Sequence, residues 1–225
     1  MKSLKLKQGK YLIAVSGGPD SMALLNMARE EGLEIEAAHV NYHKRDTAKR
    51  DEKIVRSYCE RYGIPVHVKN VYPGDVKGNF QAYAREVRYA YFANLCRRYG
   101  LDGTVTAHQQ DDLLETYLMQ KEKKLGVEYY GLKEETRIMG VRIIRPLLDC
   151  TKEELLSYCA KKGLDYGIDE SNLTDVYTRN RIRHARLLSE EDREVARLVE
   201  WCHEQLVYRL CGGSSGYVQS CKDCQ

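Results

Sequence analysis

Six residues near the amino terminus, Ser16-Gly17-Gly18-Pro19-Asp20-Ser21, stand between the apolar run Tyr11-Leu12-Ile13-Ala14-Val15 and the helical pattern Met22-Ala23-Leu24-Leu25-Asn26-Met27-Ala28. A buried strand that passes through paired glycines into a helix presents bare backbone N–H groups and the positive end of a helix dipole, which together hold phosphate. The spacing marks a nucleotide site and excludes two common kinds. A kinase-type loop needs Gly-x-x-x-x-Gly-Lys-Ser/Thr and a dinucleotide fold needs Gly-x-Gly-x-x-Gly, and neither stands at this turn. Gly-Gly-Pro-Asp is also ordinary turn chemistry, but serine at both ends in a strand–turn–helix context favours phosphate.

A second constellation is His108-Gln109-Gln110-Asp111-Asp112-Leu113-Leu114-Glu115-Thr116. In a helix beginning near Asp111, residues 108, 111, 112 and 115 share one face. One imidazole and three carboxylates would then converge, suiting either the Mg²⁺ that accompanies ATP or an incoming ammonium group. Helix capping explains Asp111 and Asp112, but not His108 and Glu115 as well. Asp20 and Asp111 are the candidate Mg²⁺ contacts. A third group is Arg179, Arg181 and Arg183, alternating with Asn180 and Ile182. In an extended segment the arginines point one way and Ile182 the other, and a guanidinium fork suits phosphate or carboxylate.

The elements that must position these groups alternate along the chain. Strands are expected at 11–15, 34–40, 65–68, 103–107 and 142–144, the last as a fifth strand. Helices are expected at about 20–31, at 46–62 through Ile54, Val55 and Tyr58, and at 79–99, with Phe80, Tyr83, Ala84, Val87, Tyr91 and Leu95 on one stripe. Strands separated by helices of this length imply an α/β fold with a doubly wound, mostly parallel sheet and ligands at the carboxyl ends of its strands. Ser16 and His108 then fall on one rim. Residues 1–187 are expected to form the catalytic domain, and 188–225 a short helical extension with a Gly/Ser/Cys tail.

At 225 residues, with 43% hydrophobic and 31% charged residues, the chain is long enough to bury a real core. No window approaches a membrane span and residues 1–10 lack the apolar core of an export signal, so a cytoplasmic protein is expected. Net charge is only +3, but Lys44, Arg45, Lys49, Arg50, Lys53 and Arg56 crowd one segment, and Lys121, Lys123 and Lys124 another. Such clusters serve as solvated helix faces or neutralise a phosphate backbone. Cys59, Cys96, Cys150 and Cys159 lack regular spacing and read as small hydrophobes. Cys221 and Cys224 form Cys-x-x-Cys after a glycine-rich stretch, read as incidental tail cysteines unless Cys211, Cys202 or His203 completes a metal set.

The loop from Ser16 to Ser21 resembles that of enzymes that split ATP between its α- and β-phosphates. Together with Ala84-Arg85-Glu86-Val87-Arg88-Tyr89, His108 to Thr116, Ile143-Ile144-Arg145-Pro146-Leu147-Leu148 and Arg179-Asn180-Arg181-Ile182-Arg183-His184, it occurs in the order seen in tRNA(Ile)-lysidine synthetases. The resemblance covers about residues 10–187 and implies a Rossmann-like PP-loop ATPase fold. It also implies a reaction: ATP adenylates the C2 oxygen of the wobble cytidine in a CAU anticodon of tRNA(Ile), and the side-chain amine of L-lysine displaces AMP. Under it, Ser16, Gly17, Gly18, Pro19, Asp20 and Ser21 hold the diphosphate, and His39 to Asn41 border the adenine. His108 approaches the α-phosphate, Asp112 and Glu115 receive the lysine ammonium, and Asp111 is counted with them among the catalytic residues. Arg85, Arg88, Arg179, Asn180, Arg181 and Arg183 bind substrate. Two departures stand out: members continue into C-terminal tRNA-gripping domains, where a homodimer would here compensate, and Lys121-Glu122-Lys123-Lys124 replaces an Arg-Gly segment. A tRNA sulfurtransferase of the same loop family and a non-catalytic tRNA-binding relative are the alternatives.

Overall fold

The computed structural model describes residues 3–44, 47–76, 78–122 and 129–168. Its elements run β1 (Lys10–Ala14), α1 (Pro19–Glu30), β2 (Glu34–Asn41), α2 (Ala48–Tyr62), β3 (Val66–Asn70), α3 (Phe80–Tyr99), β4 (Gly103–Thr106), α4 (Gln110–Glu122), β5 (Glu135–Ile138), β6 (Val141–Ile144) and α5 (Lys152–Lys162). A 3₁₀ turn, Pro73–Asp75, follows β3.

The strands form one sheet in the order β3-β2-β1-β4-β6-β5. Every neighbouring pair is parallel except β5 with β6. Alternation along β1 explains the layering: Tyr11, Ile13 and Val15 enter one core with residues of α1, α2 and α5, while Leu12 enters the other with residues of α3. A parallel sheet covered on both faces is the expected consequence of crossover helices. Chain order reverses between β1 and β4, which places the crevice of a doubly wound sheet at their carboxyl ends.

Side-chain chemistry sets several helix starts. Asn79 Oδ1 accepts from Gln81 N and Ala82 N (2.9 and 3.2 Å) to open α3. Thr151 and Glu154 form a reciprocal capping box at α5. A polar clasp fastens α1 to α2 and α5: Asn26 Nδ2 donates to Tyr158 Oη (2.7 Å) and Tyr58 Oη donates to Asn26 Oδ1 (2.7 Å).

Two expectations need correction. The strand at 142–144 is the sixth, because Glu135–Ile138 precedes it as the antiparallel arm of a hairpin through Met139 (φ 51°) and Gly140 (φ 80°). Two successive positive φ angles belong to the turn that matches strand twist, and the half-buried arm has no apolar run to announce it. The buried face of α3 is carried by Ala84, Tyr89, Phe92, Ala93, Leu95 and Cys96, not by the full stripe through Phe80, Tyr83, Val87 and Tyr91. Aromatic residues stand on every side of this helix, so periodicity alone does not select its inner face.

The chain divides into two compact units, residues 1–113 with 132–174 and residues 114–131 with 175–225. The first contains the whole sheet. In the second, Gly131 N donates to Gln120 Oε1 (2.7 Å), and Tyr117 and Tyr130 meet edge to face at 5.9 Å. The boundary at 187/188, Arg179 to Arg183, and Cys202, Cys211, Cys221 and Cys224 lie outside the described residues. Cys59, Cys96 and Cys159 are buried and Cys150 half-buried, all without disulfides. Among the described residues no helix is long and apolar enough to cross a membrane.

Candidate active site

A cleft of about 360 Å³ opens at the carboxyl ends of β1, β2 and β4, lined among others by Ser16, Asp20, Ser21, His39, Arg88 and His108. That volume lies in the range of small-molecule sites. The two motifs expected on one rim therefore do meet: Ser16 follows β1 and His108 follows β4.

The turn after β1 is held by hydroxyls. Ser16 N and Gly18 O both lie on Ser21 Oγ, donating at 3.1 Å and accepting at 2.9 Å, and the hydroxyls of Ser16 and Ser21 are 3.1 Å apart. Gly18 N donates to Ser16 Oγ (3.3 Å). Gly17 adopts φ 93°, and a side-chain carbon there would stand 2.9 Å from both Cβ and the carbonyl oxygen of Asp51. Only glycine satisfies both conditions. Gly18 serves as N-cap of α1, with Pro19 in the first turn and no side-chain capping bond. A helix start without a side-chain cap retains its capacity for an anion.

Behind the turn, Gly167 N donates to Gly17 O (2.8 Å), and Arg50 reaches both Asp51 Oδ1 (2.9 Å) and Ile168 O (3.0 Å). The segment after α5 thus straps across the back of the glycine turn. Arg56 pairs with Glu52 at 2.8 Å one turn along α2, so part of the basic cluster on this helix is internally neutralised.

On the β2 wall, His39 is buried and its Nδ1 lies 2.8 Å from Val15 O. A carbonyl only accepts, so Nδ1 carries the hydrogen and Nε2 is the acceptor in the neutral ring. Burial pushes the imidazole pKa below its ordinary 6.5, which keeps the ring neutral. Asn41 lines the cleft but its amide is committed, donating to Glu52 Oε2 (2.7 Å) and accepting from His43 N (2.9 Å). The Asn41 hydrogen bond is the main cause holding the Glu52 carboxyl below its usual range.

At β4, Thr106 Oγ1 holds His108 Nδ1 at 2.8 Å. The start of α4 is a reciprocal cap: Asp111 N donates to Gln109 Oε1 (2.8 Å), and Gln109 N donates to Asp112 Oδ2 (3.0 Å). Gln109 Nε2 also donates to Asp111 Oδ2 (3.2 Å). Asp112 is thus a cap in this structure, and Asp111 and Asp112 are not among the cleft-lining residues. Glu115 is buried one turn further along the helix, on the stretch belonging to the second unit. Arg88 lines the cleft, whereas Arg85 stacks its guanidinium 4.9 Å from the ring centre of Tyr89. Thr106, Gln109, Asp51 and Gly167 carry site geometry that motif reading did not find; only Gln109, three residues before Asp112 at a helix start, left a capping signature in the sequence.

An uncapped helix start between two hydroxyls, beside a buried neutral imidazole at the switch point of a parallel sheet, defines a nucleotide-binding α/β protein. The chain belongs to the PP-loop domain family ATP_bind_3, which matches residues 1–190. It is 40% identical over 187 residues to the tRNA(Ile)-lysidine synthase of Ureaplasma parvum, covering 80% of this chain and 55% of the relative. It is also 40% identical over 190 residues to that of Malacoplasma penetrans, covering 82% and 63%. The chain thus spans little more than half the length of these curated relatives. Among solved structures, the U34-tRNA thiolase NcsA from Methanococcus maripaludis shares the fold with TM-score 0.71 at 18% identity, covering 88% of this chain and 74% of that one.

Proposed function

We propose that the chain is the catalytic part of a tRNA(Ile)-lysidine synthetase, a carbon–nitrogen ligase acting on ATP, L-lysine and the CAU-anticodon tRNA(Ile). The observation that carries this reading is the cleft that joins the Ser16–Ser21 turn to His108, in a chain 40% identical to enzymes of that name.

In the first step the C2 oxygen of the wobble cytidine attacks the α-phosphorus of ATP, a P–O bond forms, and the bond to the β-phosphate breaks. Charge gathers on the departing diphosphate. The uncapped α1 start is assigned to hold it there, together with the hydroxyls of Ser16 and Ser21 once Ser21 turns its hydrogen from Gly18 O. Mg²⁺ keeps several waters and binds phosphates with one or two carboxylates; Asp20 is the acid of the cleft lining beside the serines. Asp111, whose Oδ2 serves Gln109, is the weaker candidate. His39 and Asn41 border the base of the nucleotide. His108 approaches the α-phosphate.

In the second step the lysine side-chain amine attacks C2, the C–N bond forms, and AMP leaves with the former C2 oxygen. The proton lost by the amine passes to a carboxylate or to solvent. Asp112 and Glu115 on α4 are assigned to the ammonium, and Arg88 to the substrate at the cleft. The sulfurtransferase alternative is disfavoured: among the described residues the cysteines sit on separate elements, and burial pushes the thiols of Cys59 and Cys159 up to about 11, away from the reactive thiolate.

Incubation with labelled lysine, ATP and a CAU-anticodon tRNA tests the reading. Label entering the RNA in an ATP-dependent manner supports it; a sulfur-dependent product, or RNA binding without AMP release, contradicts it.

A further inference from the structure

Where β2 leaves the sheet, His43 adopts φ 49°, a left-handed backbone that residues with side chains avoid and that persists only where the surroundings fix it. Here they do. His43 N donates to Asn41 Oδ1 and its Nε2 meets Asn70 Oδ1, each at 2.9 Å. Asn41 and Asn70 are register partners on neighbouring strands. The conformation turns the imidazole flat against Tyr72, with ring centres 4.7 Å apart and planes within 5°. Tyr72 is itself fixed, because its N–H donates to Asp75 Oδ2 (2.9 Å) in the 3₁₀ turn. It is nevertheless 57% exposed.

His43 lines the cleft and Tyr72 does not, so the stack leads from the cleft outward. Two lysines near it in sequence sit over other rings. Lys44 Nζ lies 4.1 Å above the Phe80 ring and Lys69 Nζ 5.7 Å from the Tyr91 ring, each lysine adjoining in sequence one of the residues that build the stack. An exposed aromatic face held in a fixed stack is the chemistry that binds unpaired bases of single-stranded RNA.

We propose that the His43–Tyr72 pair is a stacking platform for an unpaired nucleobase of the RNA substrate, the one next to the base that enters the cleft. This rests on the function proposed above. The adenine of ATP offers the same chemistry, but it belongs inside the cleft, and the exposed ring lies outside its lining.

The test uses the whole protein and a CAU-anticodon stem–loop carrying 2-aminopurine beside the wobble cytidine. Wild type and Tyr72→Phe quench the fluorophore on binding. Tyr72→Ala, at an exposed position, loses the quench and binds the RNA about 5- to 150-fold more weakly, the value of one base stack, while ATP affinity without RNA is unchanged. Loss of ATP affinity with RNA binding intact assigns the platform to adenine and overturns the proposal, as does an unchanged quench in Tyr72→Ala. Wild type that binds the stem–loop without any quench refutes the platform alone; wild type that binds no CAU stem–loop refutes the functional reading and the platform together.

Discussion

The helices α1 and α4 begin on the same rim, after β1 and β4, and open in opposite ways. α1 starts at Gly18 with no side-chain cap, while α4 closes on itself, Gln109 serving Asp111 N and Asp112 serving Gln109 N. Both carry the same positive dipole end. In α1 that end remains open to an anion. In α4 the side chains of Gln109 and Asp112 answer it. One sheet edge thus carries a helix start open to an anion and a helix start closed by its own side chains.

The largest effect comes from breaking the open side. Gly17→Ala forces a side chain into left-handed backbone and against the Asp51 backbone, and is expected to cost about 2–4 kcal/mol in urea unfolding and to abolish ATP binding. A middle-sized pair sharpens the closed side. Gln109→Ala should cost about 1 kcal/mol, as lost caps do, speeding amide exchange in the first turn of α4 without weakening ATP binding. Asp112→Asn keeps an acceptor for Gln109 N and removes the charge, so it should raise the KM for lysine at nearly unchanged stability. Equal losses in the two variants would reduce Asp112 to a cap.

A last effect is a pH dependence on the α1 side, where His39 Nδ1 donates to Val15 O just before the turn. Its folded pKa lies below the ordinary 6.5. Unfolded chains therefore bind the proton first, and stability, complete above pH 6.5, falls as pH drops from there toward the lowered folded value, by at most about 1.4 kcal/mol per pH unit. The carboxylates with lowered values, such as Glu52, act only from about 4.5 downward. His39→Gln should flatten the unfolding free energy between pH 6.5 and 5 relative to wild type.

The open start was legible because it depends on local residue types: an apolar strand, two glycines, a proline at the first turn and two serines. That the strands before Ser16 and His108 end on one rim followed from the alternation of strands and helices. What stayed hidden depends on distant partners. Asp51 on α2 closes off the space beside Gly17, and Gly167 reaches Gly17 O from the segment after α5. The edge strand β5 escaped because its half-buried residues carry no apolar run. The capping reading of Asp112 is seen directly, in the bond from Gln109 N.

The most direct test of the open α1 start as a diphosphate holder is ³¹P NMR of ATP turnover by the intact protein with CAU-anticodon tRNA and lysine. The expected products are AMP and diphosphate in equal amounts, formed only when the RNA is present. Formation of ADP and inorganic phosphate, or release of AMP without RNA, would contradict it.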